Sequence, residues 1–450
     1  MATLEQHLRR YPVDRLRALA SYCGLSTEAS KAALIRQIAE RIRDDATLRA
    51  EWERMDPTSR QMVMEAVHCG GVLRRAAYFA KYDRHALRLW PDRVSKDEVL
   101  PIDLILHHDE VPDDLLELLK TWVPAPRPFE IQGERDTPQH FVCGSHIYAL
   151  LKAETALVGP HDLSTLLRGV ADATVRIDRR TLIPTAPGAS DLISSLEQRD
   201  FLAHDRTANV RETIRPVGLA RFAAQGGLIA PIPHQRGLWR LTEEGSRWLD
   251  TGDREILREA LWRWAHADHV DELDRIESLH RPAIRQARLS SPSLRRTRIL
   301  QALQQCPSDV WIHVEDFFKG VIIWGFDFPV ETGGRIYLYV GNSPEYGWLG
   351  YSGVSYWRVV NGLYILQVLW ETLATVGAID ILYVQPERAH FNALVFGYAH
   401  PYFSRYDGLK YFRINSLGAY LLRDGAAAAS SSAGETTAQP AVQGPLFSNS

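Results

Sequence analysis

Leu238-Trp239-Arg240-Leu241-Thr242-Glu243-Glu244-Gly245-Ser246-Arg247-Trp248-Leu249 returns, without a gap, as Tyr411-Phe412-Arg413-Ile414-Asn415-Ser416-Leu417-Gly418-Ala419-Tyr420-Leu421-Leu422. Each copy opens as a short, mostly apolar strand carrying one Arg (Arg240, Arg413). Thr242 and Asn415 then read as N-caps, because their side-chain oxygens can accept an orphan N–H of the following first turn. Gly245 and Gly418 come early in those helices, where Gly costs about 1 kcal/mol against Ala. A helix tolerates that cost when another backbone packs closely against it. Upstream, Gln235-Arg236-Gly237 and Tyr406-Asp407-Gly408-Leu409 are turn sequences, Asp-Gly being a strong hairpin signal. Each turn has an earlier strand available, Leu228–Ala230 and Ile379–Val384.

The order helix, strand, turn, strand, capped helix is the ending of a winged-helix domain, and it occurs twice. Candidate preceding helices are Ile193–Asp200 and Val217–Ala224 for the first copy. For the second they are Leu294–Leu303, Val314–Val321 and Tyr356–Thr375, the last with Val360, Leu363, Val368, Leu369 and Leu373 on one broad apolar face. The alternative is two unrelated strand–helix corners. The expected fold is mainly α with small β wings (α+β).

At the other end, Leu16 and Leu19 line one helix, Gly24 ends it, and Lys31 starts a second with Leu34, Ile35, Ile38 and Ile42 at helical spacing. This helix–Gly–helix unit resembles a SAP motif on Leu16, Leu19, Gly24, Leu25, Lys31, Leu34 and Ile35. The resemblance implies DNA association, with Lys31 and Arg36 as contacts; an ordinary helical hairpin is the other reading. Taken together, Leu16–Ile35, Gly237–Leu249 and Ser404–Leu422 resemble in arrangement the accessory N-terminal regions of XPB-type helicases. That implies work near a helicase or repair machine. No GxxxxGK[ST] occurs, so the motor itself is not expected.

The expected organisation is a SAP-like hairpin at 1–50, a helical unit at 51–123 and a linker or long loop at 124–143. The first winged-helix-like unit follows at 144–252, with helical patterns at His146–Lys152, Asp162–Val170 and Ala189–Leu196. An Arg-rich connector at 253–293, the second winged-helix-like unit at 294–424 and a disordered tail at 425–450 complete it. The tail is Gly, Ala, Ser and polar residues with almost no charge, a composition that cannot bury a core. Within it, Gln443-Gly444-Pro445-Leu446-Phe447 is similar to the Gln-x-x-Leu-Phe peptide that docks on the sliding clamp, implying Gln443, Leu446 and Phe447 as partner-binding residues. Another peptide contact and a plain tail are the other readings.

The net charge of −3 excludes a wholesale basic coat, so any nucleic-acid surface must be local. Up to residue 95 there are 17 Lys+Arg against 12 Asp+Glu, one such local excess. Arg281, Arg285, Arg288, Arg295, Arg296 and Arg298 form another, with no acidic residue among them and serines at 290, 291 and 293. Guanidinium forks and hydroxyls suit phosphates. Asp268, Asp271, Glu272, Asp274 and Glu277 lie just upstream, so an internal acidic–basic pairing is the competing reading. Arg405, before the second return strand, joins the DNA-contact set.

Catalytic and metal sites are not expected. The four cysteines (Cys23, Cys69, Cys143, Cys306) contain no CxxC pair, which excludes a zinc ribbon. His107-His108-Asp109-Glu110 lacks a third ligand placed by spacing. Cys143 and His146, on a starting helix, need not meet. Glu315-Asp316 with Lys319 is half of a nuclease site. No cofactor is expected. The N-terminus has no apolar signal region and no run of 18 apolar residues occurs, so a cytoplasmic protein without a membrane contact is expected. The leading expectation is a non-enzymatic DNA-binding accessory protein in DNA repair or antiphage defence, with a sliding clamp or helicase as partner. A winged-helix interaction scaffold and a nuclease with an unfamiliar site are the alternatives.

Overall fold

The computed structural model describes residues 2–82, 98–202, 209–280, 288–332, 338–340, 357–389 and 402–423. The described residues are mixed α+β, with helices predominant and small sheets, and form two hydrophobic cores.

The first core spans Leu4 to Val123 and is helical. Its helices are α1 (Leu4–Arg9), α2 (Val13–Tyr22), α3 (Lys31–Ile42), α4 (Asp45–Arg54), α5 (Pro57–His68), α6 (Arg75–Tyr82) and α7 (Asp113–Lys120). Gly24 ends the turn after α2 at φ +69°, and Leu25 N–H reaches back to the Ala20 carbonyl at 2.8 Å. Ser30, Asp44 and Asp56 cap α3, α4 and α5 through their side-chain oxygens. The residues expected at 1–50 and those expected at 51–123 pack together. Leu16, Leu34, Ile38, Met62 and Leu115 bury into one common core.

The second core runs from Ile131 to Leu422. In chain order its elements are β1 (His140–Cys143), β2 (His146–Ala149), β3 (Leu151–Ala153), α8 (Val158–Ala171), α9 (Ala186–Ser195), α10 (Arg215–Gln225), β4 (Ile229–Pro231), β5 (Trp239–Leu241), α11 (Glu243–Thr251) and α12 (Arg254–His266). There follow β6 (Leu279–His280), α13 (Pro292–Leu303), β7 (Ile312–His313), α14 (Val314–Ile323), β8 (Tyr339–Val340), the helix α15 (358–374, with π-helical turns at Arg358–Gly362 and Val368–Ala374), β9 (Ile379–Tyr383), β10 (Leu409–Ile414) and α16 (Ser416–Leu421). One antiparallel sheet has the order β3-β9-β10-β7; β4 pairs with β5, β1 with β2, and β6 with β8. The two cores meet where α6 lies along α14, and Arg74 donates to the Ile322 carbonyl at 3.0 Å.

The repeat in sequence is a repeat in structure, bond for bond. After α10, Gly227 turns at φ +77°, and Leu228 N–H bonds to the Ala223 carbonyl at 2.9 Å. After α15, Gly377 turns at φ +91°, and Ala378 N–H bonds to the Leu373 carbonyl at 2.8 Å. Thr242 Oγ1 accepts from Gly245 N–H at 3.1 Å and donates to the Gly227 carbonyl at 2.7 Å. Asn415 accepts from Gly418 N–H and donates through Nδ2 to the Gly377 carbonyl, both at 3.0 Å. So each cap residue ties the helix after the hairpin to the glycine before it. Gly245 and Gly418 sit on the carbonyls of Leu228 and Ala378, where a Cβ would overlap the oxygen. The close backbone approach expected from these glycines is present in both copies.

The two helices that lead into these hairpins are packed on each other. Gly218 of α10 lies against the backbone of Glu371 in α15, where an added Cβ would stand 3.0 Å from its carbonyl carbon. α10 is buried from Arg215 to Ala223 and α15 from 359 to 374.

Several expectations are corrected. His146–Lys152 is not helical but forms β2 and the start of β3. Gly144, at φ +58°, turns the chain so that Val142 pairs with Ile147. The 124–143 segment, expected as a linker or long loop, is loop up to β1 and packs on the second core: Glu134 and Trp311 exchange backbone hydrogen bonds at 2.8 and 2.7 Å, and Ile131 joins the core. Asp407-Gly408 is not a hairpin tip. Its strand pairs with β9, and the Asp407 carboxylate accepts from Phe403 N–H at 2.7 Å and Ser404 Oγ at 3.0 Å inside a buried turn. Ile193–Asp200 is only partly helical, since α9 ends at Ser195. No helix among the described residues is long and apolar enough to cross a membrane.

Candidate nucleic-acid interface

The arginine stripe divides into two populations. Arg295 and Arg296 are fully buried on α13. Arg296 donates to Glu272 at 2.8 Å and to the carbonyls of Trp264, Ala267 and Val270, and its guanidinium lies 4.8 Å from the centre of the Trp264 ring. Burial opposes its charge, and Glu272 beside it holds the guanidinium protonated. Arg295 pairs with Asp271 at 2.6 Å and covers the Tyr364 ring at 4.7 Å. These two are therefore not phosphate contacts: α13 turns them inward, and the upstream acidic segment folds over them. Asp268 likewise accepts from Ser293 N–H at 3.0 Å. Arg288 is exposed and Arg298 half-buried. Arg281 and Arg285 lie outside the described residues, as do Gln443, Leu446 and Phe447.

Arg405 is tied down, with Nε on Glu277 at 2.6 Å and Nη1 on the Arg211 carbonyl at 2.9 Å. Lys31 donates to the Arg9 carbonyl at 3.2 Å from the surface of α3, and Arg36 is exposed on the same helix.

A different set of guanidiniums gathers at the first hairpin. Ile177 N–H bonds to the Gly237 carbonyl at 3.0 Å, and Trp239 Nε1 donates to the Ile177 carbonyl at 2.9 Å. The loop after α8 is thereby stitched along β5, with Arg176 backed on Gly237. Arg179 donates to the carbonyls of Ile232 and, at 3.3 Å, Gln235 in the hairpin turn. Arg176, Arg179, Arg180, Arg236 and Arg240 are all exposed. Among the described residues none of the five pairs with a carboxylate. The one acid between them, Asp178, is turned onto its own loop. It accepts from Arg180 N–H, Thr181 N–H and Thr181 Oγ1, bonds that hold its carboxyl below the usual range.

The two copies differ in what stands across from the strand arginine. Arg413 stands opposite Asp380 and pairs with it at 2.7 Å, with its guanidinium 4.7 Å from the centre of the Trp311 ring. Arg240 stands opposite Ala230. The same arginine is neutralised in the second hairpin and free in the first. Sequence reasoning named both arginines in the repeat but gave neither a role. The available signal was the partner strand, Ala230 in one copy and Asp380 in the other.

His107 and Glu110 exchange backbone hydrogen bonds at 2.8 and 3.0 Å, and His107 is fully buried, which pushes its imidazole down to about 3. Cys143 and His146 are cross-strand partners in a β-hairpin rather than residues of a helix. Glu315 pairs with Arg358, and burial raises its carboxyl. Among the described residues no group of three or more His, Cys, Asp or Glu is arranged to hold a metal. Compared with protein-family models, curated proteins and solved structures, the chain finds no match in any of the three.

Proposed function

We propose that this chain is a non-enzymatic DNA-binding accessory protein built on two winged-helix-like units behind a SAP-like hairpin, and that its first wing makes the phosphate contacts. In this reading α8, α9, α10, β4 and β5 form the first unit, and α13, α14, α15, β9 and β10 the second. The pairing of β7 with β10 and the bond from Ile177 to Gly237 supply the third strand that each such unit carries. The helix that usually enters the major groove corresponds to α10 or α15. Both are buried on each other, so groove reading by helix is closed off and contact falls to the hairpin. The observation that carries the proposal is Arg240 opposite Ala230, within a cluster of five exposed guanidiniums that have one self-engaged carboxylate among them.

The test gives Arg240 the partner that Arg413 has. Ala230→Asp and Arg240→Ala should each weaken binding to a fluorescent DNA several-fold at 0.1 M salt. Each should flatten the log K against log salt slope by about 0.9, the loss of one phosphate contact. Absence of wild-type binding even at low salt ends the proposal, and an unchanged slope in both variants removes the wing from it.

The work is assigned to DNA repair or antiphage defence beside a helicase or sliding clamp. Support for the clamp is the sequence of the tail alone, where Leu446 and Phe447 are apolar anchors on a polar tether. Unchanged clamp binding by Leu446→Ala/Phe447→Ala removes that part. A scaffold without DNA is the second reading, favoured by Val142 and Ile147, which pair on the β1–β2 hairpin at 63% and 68% exposure.

A further inference from the structure

A cleft of about 990 Å³ opens beside the first hairpin, between the loop carrying Arg180 and the start of α13. Arg221 of α10 lines it at 5% exposure. Its Nε donates to the Thr181 carbonyl at 3.3 Å, but its Nη1 has no hydrogen bond. The nearest carboxylate to that nitrogen is Glu371, 3.8 Å away. Glu371 is already engaged: it accepts from Arg275 Nε at 2.8 Å, from Gln367 at 3.2 Å and from the Tyr406 hydroxyl. Two buried guanidiniums thus share one carboxylate, and a positive charge is left over at the cleft.

The rim adds two guanidiniums without a carboxylate partner among the described residues: Arg180 and Arg211 line it, both exposed. The acids of the rim are held by other bonds: Asp271 by Arg295, Glu277 by Arg405, and Asp268 by Ser293 N–H. Asp274 lines it as well and has a partner of its own. Ser291 adds a hydroxyl at the mouth. A buried, under-bonded arginine with two free arginines above it fits a compact anion with several acceptor oxygens. We propose that this cleft is a phosphoryl-binding site, taking the terminal phosphate of a DNA end or of a free nucleotide. The volume is at the upper end of small-ligand pockets, roughly 300–1,000 Å³, which admits a nucleotide and not a duplex.

The test titrates the full chain with inorganic phosphate, calorimetrically, at constant ionic strength against chloride. Arg221→Gln and Arg211→Ala are compared with wild type. Arg211→Ala guards against misfolding of the buried variant, because only the Arg211 backbone carbonyl is used by Arg275 and Arg405. Each variant should bind phosphate about tenfold more weakly, the loss of a charge-assisted hydrogen bond. Two further arms separate the sources, a single-stranded oligonucleotide with and without a 5′-phosphate, and a nucleoside monophosphate. Preference for the phosphorylated end assigns the site to DNA ends; competition by the nucleotide alone assigns it to free nucleotides. Phosphate binding no tighter than chloride, or equal in wild type and both variants, overturns the proposal. The wing arginines are intact in both variants, so this outcome is separate from that of the DNA titration.

Discussion

Gly418→Ala should destabilise the protein although alanine is the better helix former. An alanine gains about 1 kcal/mol of helix propensity over glycine. Against that, its Cβ would overlap the Ala378 carbonyl oxygen and stand 2.8 Å from the carbonyl carbon and 3.3 Å from Cα. Carbon pairs rest at about 3.5–4.0 Å, so α16 must retreat by roughly 1 Å. That retreat stretches three bonds of Asn415, each 3.0 Å long: to Gly418 N–H, the Gly377 carbonyl and Asp380. Overpacking costs about 1–3 kcal/mol and a lost cap about 1 more, with buried acceptors left unpaired. The net loss is about 3 kcal/mol, read as a lower urea midpoint at unchanged slope. Gly245→Ala should act in the same direction, since its Cβ meets Leu228 in the same way, 3.0 Å from the carbonyl carbon. Gly24→Ala is the comparison: φ is +69° with nothing within 4 Å, so only the left-handed backbone counts, at about 1 kcal/mol. If Gly418→Ala is as stable as wild type, or costs no more than Gly24→Ala, the equivalence of the two corners has no energetic content.

Thr242→Val should cost about 1–2 kcal/mol by removing both the cap of α11 and the donor to the Gly227 carbonyl, measured by urea unfolding. Arg296→Met strands the buried Glu272 carboxylate and should cost about 3–5 kcal/mol; Arg296→Met/Glu272→Gln should recover part of it, and no recovery would show that the charge is not the cause. His107 takes up a proton in the unfolded chain near 6.5 and in the folded chain only near about 3. Its contribution is therefore whole above pH 6.5 and lost as pH falls toward 3, by up to about 1.4 kcal/mol per pH unit. His7, also lowered by burial, acts with the same sign. Unfolding free energies of wild type and His107→Gln should converge as pH falls, and parallel curves would contradict the assignment.

Which parts of this were legible in the chain follows from how local they are. The strand, cap and glycine of each repeat lie within 12 residues, and their chemistry is nearly self-contained. A cap needs only its own first turn, and a glycine in a helix announces a close neighbour without naming it. The hairpin at 140–149 was missed because short apolar runs carry no clear period. Asp407-Gly408 misled because turn chemistry marks a bend, not the distance to the partner strand.

The arginines were the least legible. Arg288, Arg295, Arg296 and Arg298 are close in the chain and equal in charge, yet two are buried on carboxylates and one is exposed. Of the cleft arginines, Arg221 carried one readable signal: with Arg215 it interrupts an otherwise apolar helix, which demands buried partners.

By itself, the order of residues determined that two strand–helix corners form, each with its cap and its close-packed glycine. Local hydrogen bonding and sterics suffice for that. Only the tertiary structure decided which charges are left over. Arg240 and Arg413 are the same residue in the same corner. Their difference is whether Ala230 or Asp380 stands across the strand, and pairing between strands is a long-range choice made by the core.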